Sequence, residues 1–262
     1  MIAGIMQHIE EAGIHSGDSS CVYPAYNLTL KAKKIIEKYT KKLALELNII
    51  GLINIQFAMK NNIIYVIEVN PRASRTIPFI SKIRDIPFAK YAAQISIGFK
   101  IDNLDFKEKN IGFIAVKKPV FPFNKFPNQN IFLSPEMKST GEVIGFDKHL
   151  GSAYAKAEYG AGNKLPLSGK IFISVNDSDK HDILKIARDL DEMDYDIIAT
   201  EGTAEILLEN GINCETTFKV GEGRPNIVDH IKNDNIQMII NTPLGAQSRF
   251  DEYEIGKAAI KH

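Results

Sequence analysis

The run Asn54-Ile55-Gln56-Phe57-Ala58, a break at Asn61-Asn62, and the run Ile64-Tyr65-Val66-Ile67-Glu68-Val69-Asn70-Pro71-Arg72 decide how this chain reads. Two apolar, β-branched runs around a short polar break predict a β-hairpin. Strand side chains alternate faces, so Glu68 and Asn70 share one. Asn54, Gln56 and Ala58 share the face opposite Ile55 and Phe57. If the two polar faces coincide, Gln56, Glu68 and Asn70 converge. One carboxylate and two amide carbonyls are hard oxygen donors, suited to Mg²⁺ or Mn²⁺ holding a nucleotide phosphate rather than to zinc or copper. Arg72 and Arg75 follow at once, where they can clamp phosphate oxygens. An ordinary hairpin with its polar residues facing water has the same spacing.

The 262 residues are enough for two domains of ordinary size, and 44% hydrophobic with 24% charged content is usual for a globular protein. Lysine and arginine balance aspartate and glutamate at 32 each, so no general attraction to nucleic acid or acidic membrane follows. Cys21 and Cys214 are far apart in sequence and make neither a disulfide framework nor a zinc site; a reducing cytoplasm is the simple inference. No apolar run is long enough to span a bilayer. The start, Met1-Ile2-Ala3-Gly4-Ile5-Met6, has no basic leader and reads as a strand entered midway, as in a piece of a longer chain.

Outward from the hairpin, Ile5 to Glu10 alternates weakly as a strand would, with His8 and Glu10 on one face. The small polar loop Ala12-Gly13-Ile14-His15-Ser16-Gly17-Asp18-Ser19-Ser20-Cys21 offers backbone groups to a base or phosphate, although a surface turn has the same residues. Leu28 to Asn48 predicts a helix capped by Thr29, with Ile35, Tyr39, Leu43 and Leu47 at helical spacing. Its six lysines read as a solvated face, since Glu37 and Glu46 intervene. Pro87 opens a helix through Phe88, Tyr91, Ala92 and Ile95 that Gly98 stops. Gly112–Lys117 is strand-like, Pro119–Pro127 reads as an extended loop, and an Ala-rich helix lies near Ser152–Tyr159. Glu136 is one exposed carboxylate beside a proline turn.

From Lys170 the pattern changes. Strands at Ile171–Val175, Tyr195–Ala199 and Gln237–Asn241 alternate with helices at Lys180–Met193, Ala204–Glu209 and Ile227–Lys232, the first of them capped by Asp177 or Ser178. This alternation predicts a parallel, doubly wound sheet. Ligands of such sheets sit beyond the carboxyl ends of strands. Thr200, Thr203, Asn241 and Thr242 lie there, and Lys180 and Lys219 add positive charge, as a phosphate-bearing small ligand would require. Turn residues capping helices are the alternative.

Several strings also carry a resemblance. Glu68-Val69-Asn70-Pro71-Arg72 after an Asn-x-Gln-Phe strand resembles the metal-binding end of an ATP-grasp ligase. His15-Ser16-Gly17-Asp18-Ser19, Phe121-Pro122-Phe123-Asn124-Lys125-Phe126-Pro127 and Pro135-Glu136-Met137-Lys138-Ser139-Thr140-Gly141-Glu142-Val143 look like the large subunit of carbamoyl phosphate synthetase, in the order of its second, carbamoyl phosphate-forming half. The resemblance covers essentially the whole chain. It implies a mixed α/β and α+β fold: a partial ATP-grasp domain (1–98), a connecting region of the synthetic half (99–161) and a methylglyoxal-synthase-like regulatory domain (162–262).

By position, the resemblance implies that Gly13, Ile14, His15 and Ser16 contact nucleotide, that Gln56 and Glu68 hold ATP and metal together, and that Asn70 completes the metal set. Arg72 and Arg75 look like the arginines near phosphoryl transfer. Glu10, Asp18 and Glu136 match positions that bind the activator ornithine in some members. Lys180, Thr200, Thr203, Lys219, Asn241 and Thr242 fall on nucleotide-effector positions, for a uridine or an inosine nucleotide; Pro243 departs from the hydroxyl residue often found there. The catalytic acids of methylglyoxal synthases are not evident.

What the family does is then an expectation for this chain: ATP-dependent phosphorylation of carbamate, from bicarbonate and ammonia that a glutaminase small subunit releases, for arginine and pyrimidine biosynthesis. Upstream lysine- and glycine-bearing parts of an ATP-grasp fold are lacking, and the chain ends at Lys261-His262 before the last strand and helix expected of the regulatory domain. The polypeptide alone is therefore expected to turn over poorly or not at all. A different ATP-grasp carboxylase or ligase is a rival reading, against which residues 111–143 and the appended α/β domain argue. A stand-alone effector-binding module with a vestigial catalytic region is another.

Overall fold

The computed structural model describes residues 1–106, 111–126, 131–244 and 246–262. Pro127, the last residue of one quoted motif, lies outside them. The chain divides into two compact units: Met1–Phe121 with Leu133–Asn163, and Pro122–Phe132 with Lys164–His262.

In the first unit, strands β1 (Gln7–His8) and β2 (Cys21–Tyr23) precede helix α1 (Leu30–Glu46). Thr29 caps α1 as expected, its hydroxyl accepting from the Ala32 N–H at 3.2 Å. Then come β3 (Asn54–Lys60) and β4 (Ile63–Asn70), joined through Asn61 and Asn62 at φ of 51° and 61°. Two consecutive left-handed residues suit a two-residue hairpin turn, and asparagine tolerates that conformation better than most. Helices α2 (Thr76–Arg84) and α3 (Phe88–Ser96) follow, then β5 (Ile114–Val120), β6 (Gly141–Asp147) and α4 (Leu150–Gly160).

Strands β1-β2-β5-β6 form one antiparallel sheet in that order, and β3-β4 stand as a separate ribbon. Alternation along β5 gives its two faces different neighbours. Ala115 packs with Phe79 and Ile83 of α2, and Lys117 shares that face. Val116 packs with Ala153 and Ala157 of α4, and Lys118 on the same side reaches Glu158 at 2.8 Å. Helix α4 lies so close to β6 that a Cβ on Gly145 would run into the Ala153 carbonyl and the Ala157 N–H.

Two features depart from the sequence expectation. Pro119 was expected in an extended loop but lies within β5, opposite Glu142. The pairing of β5 with β2 ends at Lys117, so a missing N–H two residues on breaks no ladder on that side. Helix α2 has no counterpart in the sequence reading. Pro78 sits at its third residue, within the first turn, where N–H groups have no intrahelical acceptor to lose.

The second unit is built from β7 (Lys170–Val175), α5 (Lys180–Glu192), β8 (Asp196–Thr200), α6 (Glu201–Glu209), β9 (Glu215–Thr217), α7 (Ile227–Lys232), β10 (Met238–Thr242) and α8 (Ala246–Lys261). The sheet order is β10-β7-β8-β9, all parallel. Alternation in β7 again sorts the core. Ile171 and Ile173 pack with Ile183 and Ala187 of α5 and Leu207 of α6; Phe172 packs with Ile227, Ile231, Ile255 and Ala258 of α7 and α8. Both faces are covered, as a doubly wound sheet requires. Asn176, not Asp177 or Ser178, supplies the cap: its side-chain oxygen accepts from Ser178 N at 2.9 Å and opens a short 3₁₀ turn leading into α5, whose own N-cap, Asp179, makes no side-chain cap bond. No helix among the described residues is long and apolar enough to cross a membrane.

Candidate phosphate and metal site

The hairpin register places Gln56 opposite Glu68 and Asn54 opposite Asn70. Directly paired residues share a face, so all four side chains lie on one side of the ribbon. A bulge falls beside Gln56, where Ile67 has no partner; Glu68 and Asn70 are on the same side of it and keep their common face. Glu68 is exposed, whereas Asn54, Gln56 and Asn70 are half-buried. Asn54 turns its amide N–H to Thr76 Oγ1 at 3.3 Å, which ties the ribbon to the start of α2. One carboxylate beside amide carbonyls is a donor set for a hard divalent cation. Among the described residues no three His, Cys, Asp or Glu side chains gather as a metal group, so any such site here depends on those amides.

Next to this face is a cavity of about 240 Å³ lined by Ser16, Gly17, Asn70, Arg72, Arg75 and Lys117, among others. Arg72 is exposed and donates to the Ala73 carbonyl at 3.2 Å. Arg75 is half-buried and held from behind: Nη1 donates to Ser139 Oγ at 2.9 Å, and Nη1 and Nη2 both donate to the Ser139 carbonyl at 3.3 Å.

Loop 12–20 and residues 134–139, more than a hundred positions apart, are knitted together here. His15 N donates to the Ser134 carbonyl at 2.9 Å, and Ser139 Oγ donates to the Gly17 carbonyl at 3.0 Å. Asp18, fully buried, accepts from Lys138 N at 2.7 Å and Ser139 N at 2.9 Å. Gly17 N donates to His15 Nδ1 at 3.0 Å, and a Cβ on Gly17 would press on the Met137 sulfur and that same ring. Gly13 has a φ of 107°, in the region that favours glycine, and Ile14 beside it is half-buried.

The three acidic positions implied for ornithine are not equivalent. Glu10 accepts from Ser20 N at 2.6 Å and Ser20 Oγ at 2.9 Å. Asp18 holds the Lys138–Ser139 backbone as described. Glu136 is exposed, and its N–H is held by Ser134 Oγ at 3.2 Å. Two of the three therefore brace loops.

Sequence reasoning missed Lys117, Ser139 and Glu142. Lys117 lies on a sheet row with Cys21 and His8 and is wholly buried. Its ammonium donates to the Ser16 carbonyl at 3.2 Å and faces Glu142 at 3.7 Å. Burial and then the Lys117 charge hold His8 down at about 4. Burial pushes the Cys21 thiol up to about 11 against the pull of Lys117. A charged residue inside an apolar strand run was the available signal.

In the second unit, Thr200, Asn241 and Thr242 stand at the carboxyl ends of β8 and β10, flanking the end of β7. Thr200 Oγ1 donates to Ser174 Oγ at 3.2 Å, and Thr203 Oγ1 accepts from Val175 N at 3.2 Å; both threonines are buried. Asn176 N donates to Thr242 Oγ1 at 3.2 Å. Lys180 pairs with Asp177 at 2.9 Å and lies over Gly202, in the first turn of α6. Lys219, more exposed, faces Glu222 at 3.8 Å.

The first unit thus sets a cavity lined by Arg72, Arg75 and Lys117 beside an oxygen-donor hairpin, and the second is a separate all-parallel α/β unit. Residues 2–104 match the family model described as the carbamoyl-phosphate synthase L chain, ATP binding domain, and residues 182–262 match the MGS-like domain. The chain is 52% identical to the carbamoyl phosphate synthase large chain of Acidobacterium capsulatum, over 99% of this chain and 24% of that one. It is 52% identical to the large chain of Archaeoglobus fulgidus, over 100% and 24%, and 48% identical to that of Methanosphaerula palustris, over 100% and 25%. Among solved structures it is similar to the biotin carboxylase domain of a thermophilic 2-oxoglutarate carboxylase, at 14% identity over 50% of this chain and 36% of that one, with a TM-score of 0.34, too distant to carry an argument. The chain belongs to the carbamoyl phosphate synthase large-chain family, and it spans about a quarter of the length of the curated relatives it matches.

Proposed function

We propose that the first unit forms the metal and phosphate end of an ATP-grasp site that phosphorylates carbamate, and that the second unit binds a regulatory nucleotide. The observation that supports this most directly is the hairpin register, which puts Gln56, Glu68, Asn54 and Asn70 on one face beside Arg72 and Arg75. Gln56, Glu68 and Asn70 would hold Mg²⁺ or Mn²⁺, which when bound supplies charge neutralisation between phosphate oxygens. Arg72 and Arg75 take the charge that builds on the transferred phosphoryl group as a carbamate oxygen bonds to the γ-phosphorus and ADP departs. Backbone groups of Gly13, Ile14, His15 and Ser16 position the nucleotide. Little covalent work falls to the protein in such a step, and positioning with electrostatics carries it.

In the relatives' setting, bicarbonate and ammonia from a glutaminase subunit would feed the reaction. A uridine or inosine nucleotide at Lys180, Thr200, Thr203, Lys219, Asn241 and Thr242, and ornithine near Glu10, Asp18 and Glu136, would regulate it.

Calorimetric titration of the chain with ATP, with and without Mg²⁺, tests the reading. Metal-dependent binding that Glu68→Gln weakens by about tenfold or more is expected, the scale of one lost charged contact. Binding that ignores both Mg²⁺ and Glu68 would remove the catalytic assignment and leave an effector-binding module.

A further inference from the structure

One side of the cavity beside the hairpin is lined by Lys117, to which the proposed function gives no part. Lys117 and Glu142 sit on adjacent strands, β5 and β6, Nζ to Oε2 at 3.7 Å. Lys117 has a side-chain exposure of 0%, and it lines the cavity with Arg72 and Arg75. An ammonium has three N–H groups. Among the described residues the Lys117 ammonium makes one hydrogen bond, to the Ser16 carbonyl, and the carboxylate oxygen facing it at 3.7 Å stands farther off than a hydrogen bond allows. Glu142 Oε2 is buried and, among the described residues, accepts no hydrogen bond. A buried ion pair is expected to have close geometry and to fill its remaining lone pairs; this one does neither. It is poorly explained as a stabilising contact.

The surroundings point to another use. Burial raises the Glu142 carboxyl above its ordinary range, opposed by the positive charges of Lys117, Arg75 and Lys82 facing it. The carboxylate is therefore a negative charge set directly against three cations. The lysine holds the carbonyl of Ser16, in the loop that forms a wall of the cavity, and its charge lies beneath the space an anion would occupy.

We propose that the Lys117–Glu142 couple sets how strongly this cavity holds a phosphate-bearing anion, with Lys117 as the positioning and attracting residue and Glu142 as the counter-charge that weakens the attraction. A cavity with three cations and no counter-charge would retain its product; the carboxylate moderates the hold without entering the cavity. The proposal rests on the reading of the cavity as a phosphate site.

The two members should act with opposite sign. Inorganic phosphate is titrated into the full chain at fixed ionic strength and neutral pH, with folding of each variant checked by circular dichroism. Lys117→Gln, which keeps a donor for Ser16 but loses the charge, is expected to weaken phosphate binding about tenfold. Lys117→Arg is expected to restore most of it. Glu142→Gln is expected to tighten binding by several-fold. A purely structural pair would give weaker binding on both sides, and that result overturns the proposal, as does an affinity indifferent to all three variants. If phosphate responds as stated but ATP shows no dependence on Mg²⁺ and Glu68, the couple stands and the ATP-grasp reading falls. A wild-type chain that takes up neither phosphate nor ATP overturns both.

Discussion

Polar groups gather in both units, but they are held in opposite ways. Around the cavity of the first, charged side chains are braced by neutral groups, Arg75 by Ser139 and Lys117 by the Ser16 carbonyl, with Glu142 standing off from Lys117 at 3.7 Å. At the strand ends of the second, neutral hydroxyls bond to each other and to backbone, and the lysines already face carboxylates. Bracing by neutral groups leaves most of the guanidinium and ammonium charge to act on an incoming anion. Mutual bonding means that a ligand must first displace what is there. The first arrangement suits a group that must be gripped as charge develops, and the second suits reversible, modest binding that reports concentration.

The contrast can be broken most forcefully at its scaffold. Gly145→Ala pushes a methyl group into α4 and is expected to cost the first unit about 3 kcal/mol or more, read by denaturant unfolding with amide exchange to show that β7 and β8 keep their protection. Arg75→Met removes the cation and its three bonds to Ser139. ATP affinity in the presence of Mg²⁺ should fall by about tenfold, the cost of a lost charged contact, while affinity at the second unit should not change.

A third test uses pH. Burial works to raise the Glu158 carboxyl, but the bonds from Lys118, at 2.8 Å, and Asn163, at 2.6 Å, with the Lys118 charge and Tyr154 outweigh it, and the group sits below its ordinary 4.5. An acid held below its unfolded value adds stability above that value and loses it as pH falls through the folded one. Acid titration of stability should therefore steepen below 4.5 and flatten in Glu158→Gln. In the second unit, Thr203→Ala leaves the buried Val175 N–H without its acceptor and should cost about 1 kcal/mol. The smallest effect is expected from Asp177→Asn. It releases Lys180 from an exposed pair, which should leave thermal stability unmoved and raise nucleotide-effector affinity slightly, more at low salt than at high.

How far the sequence showed this depends on what kind of contact is involved. The hairpin was legible because its period is two and its turn is Asn-Asn; nothing distant is needed to know that Glu68 and Asn70 share a face. The alternation of β7, β8 and β10 with helices was equally local. What could not be read was whatever joins positions far apart. Ser139 behind Arg75, Asp18 under the Lys138–Ser139 backbone, and Glu142 against Lys117 are pairings that only the folded sheet creates. Pro78 and Pro119 misled for a related reason. A proline excludes helix or strand only where its missing N–H would have been used, and the first turn of α2 and the unpaired side of β5 do not use it. Helix α8 went unread because its anchors, Ile255 and Ala258, are a short apolar contact in a largely polar run.

Lys117 and Lys118 are neighbours in sequence that look into different compartments, one toward the cavity and the other toward α4. Inserting a single amino acid ahead of them would turn the strand over, delivering Lys118 to the cavity and Lys117 to Glu158, and exchanging Ala115 for Val116 against α2. Two inserted residues would restore the facing and shift only the pairing. In this part of the molecule the parity of chain length is itself inherited information, and indels of odd and even size should differ in tolerance far more than substitutions at either lysine.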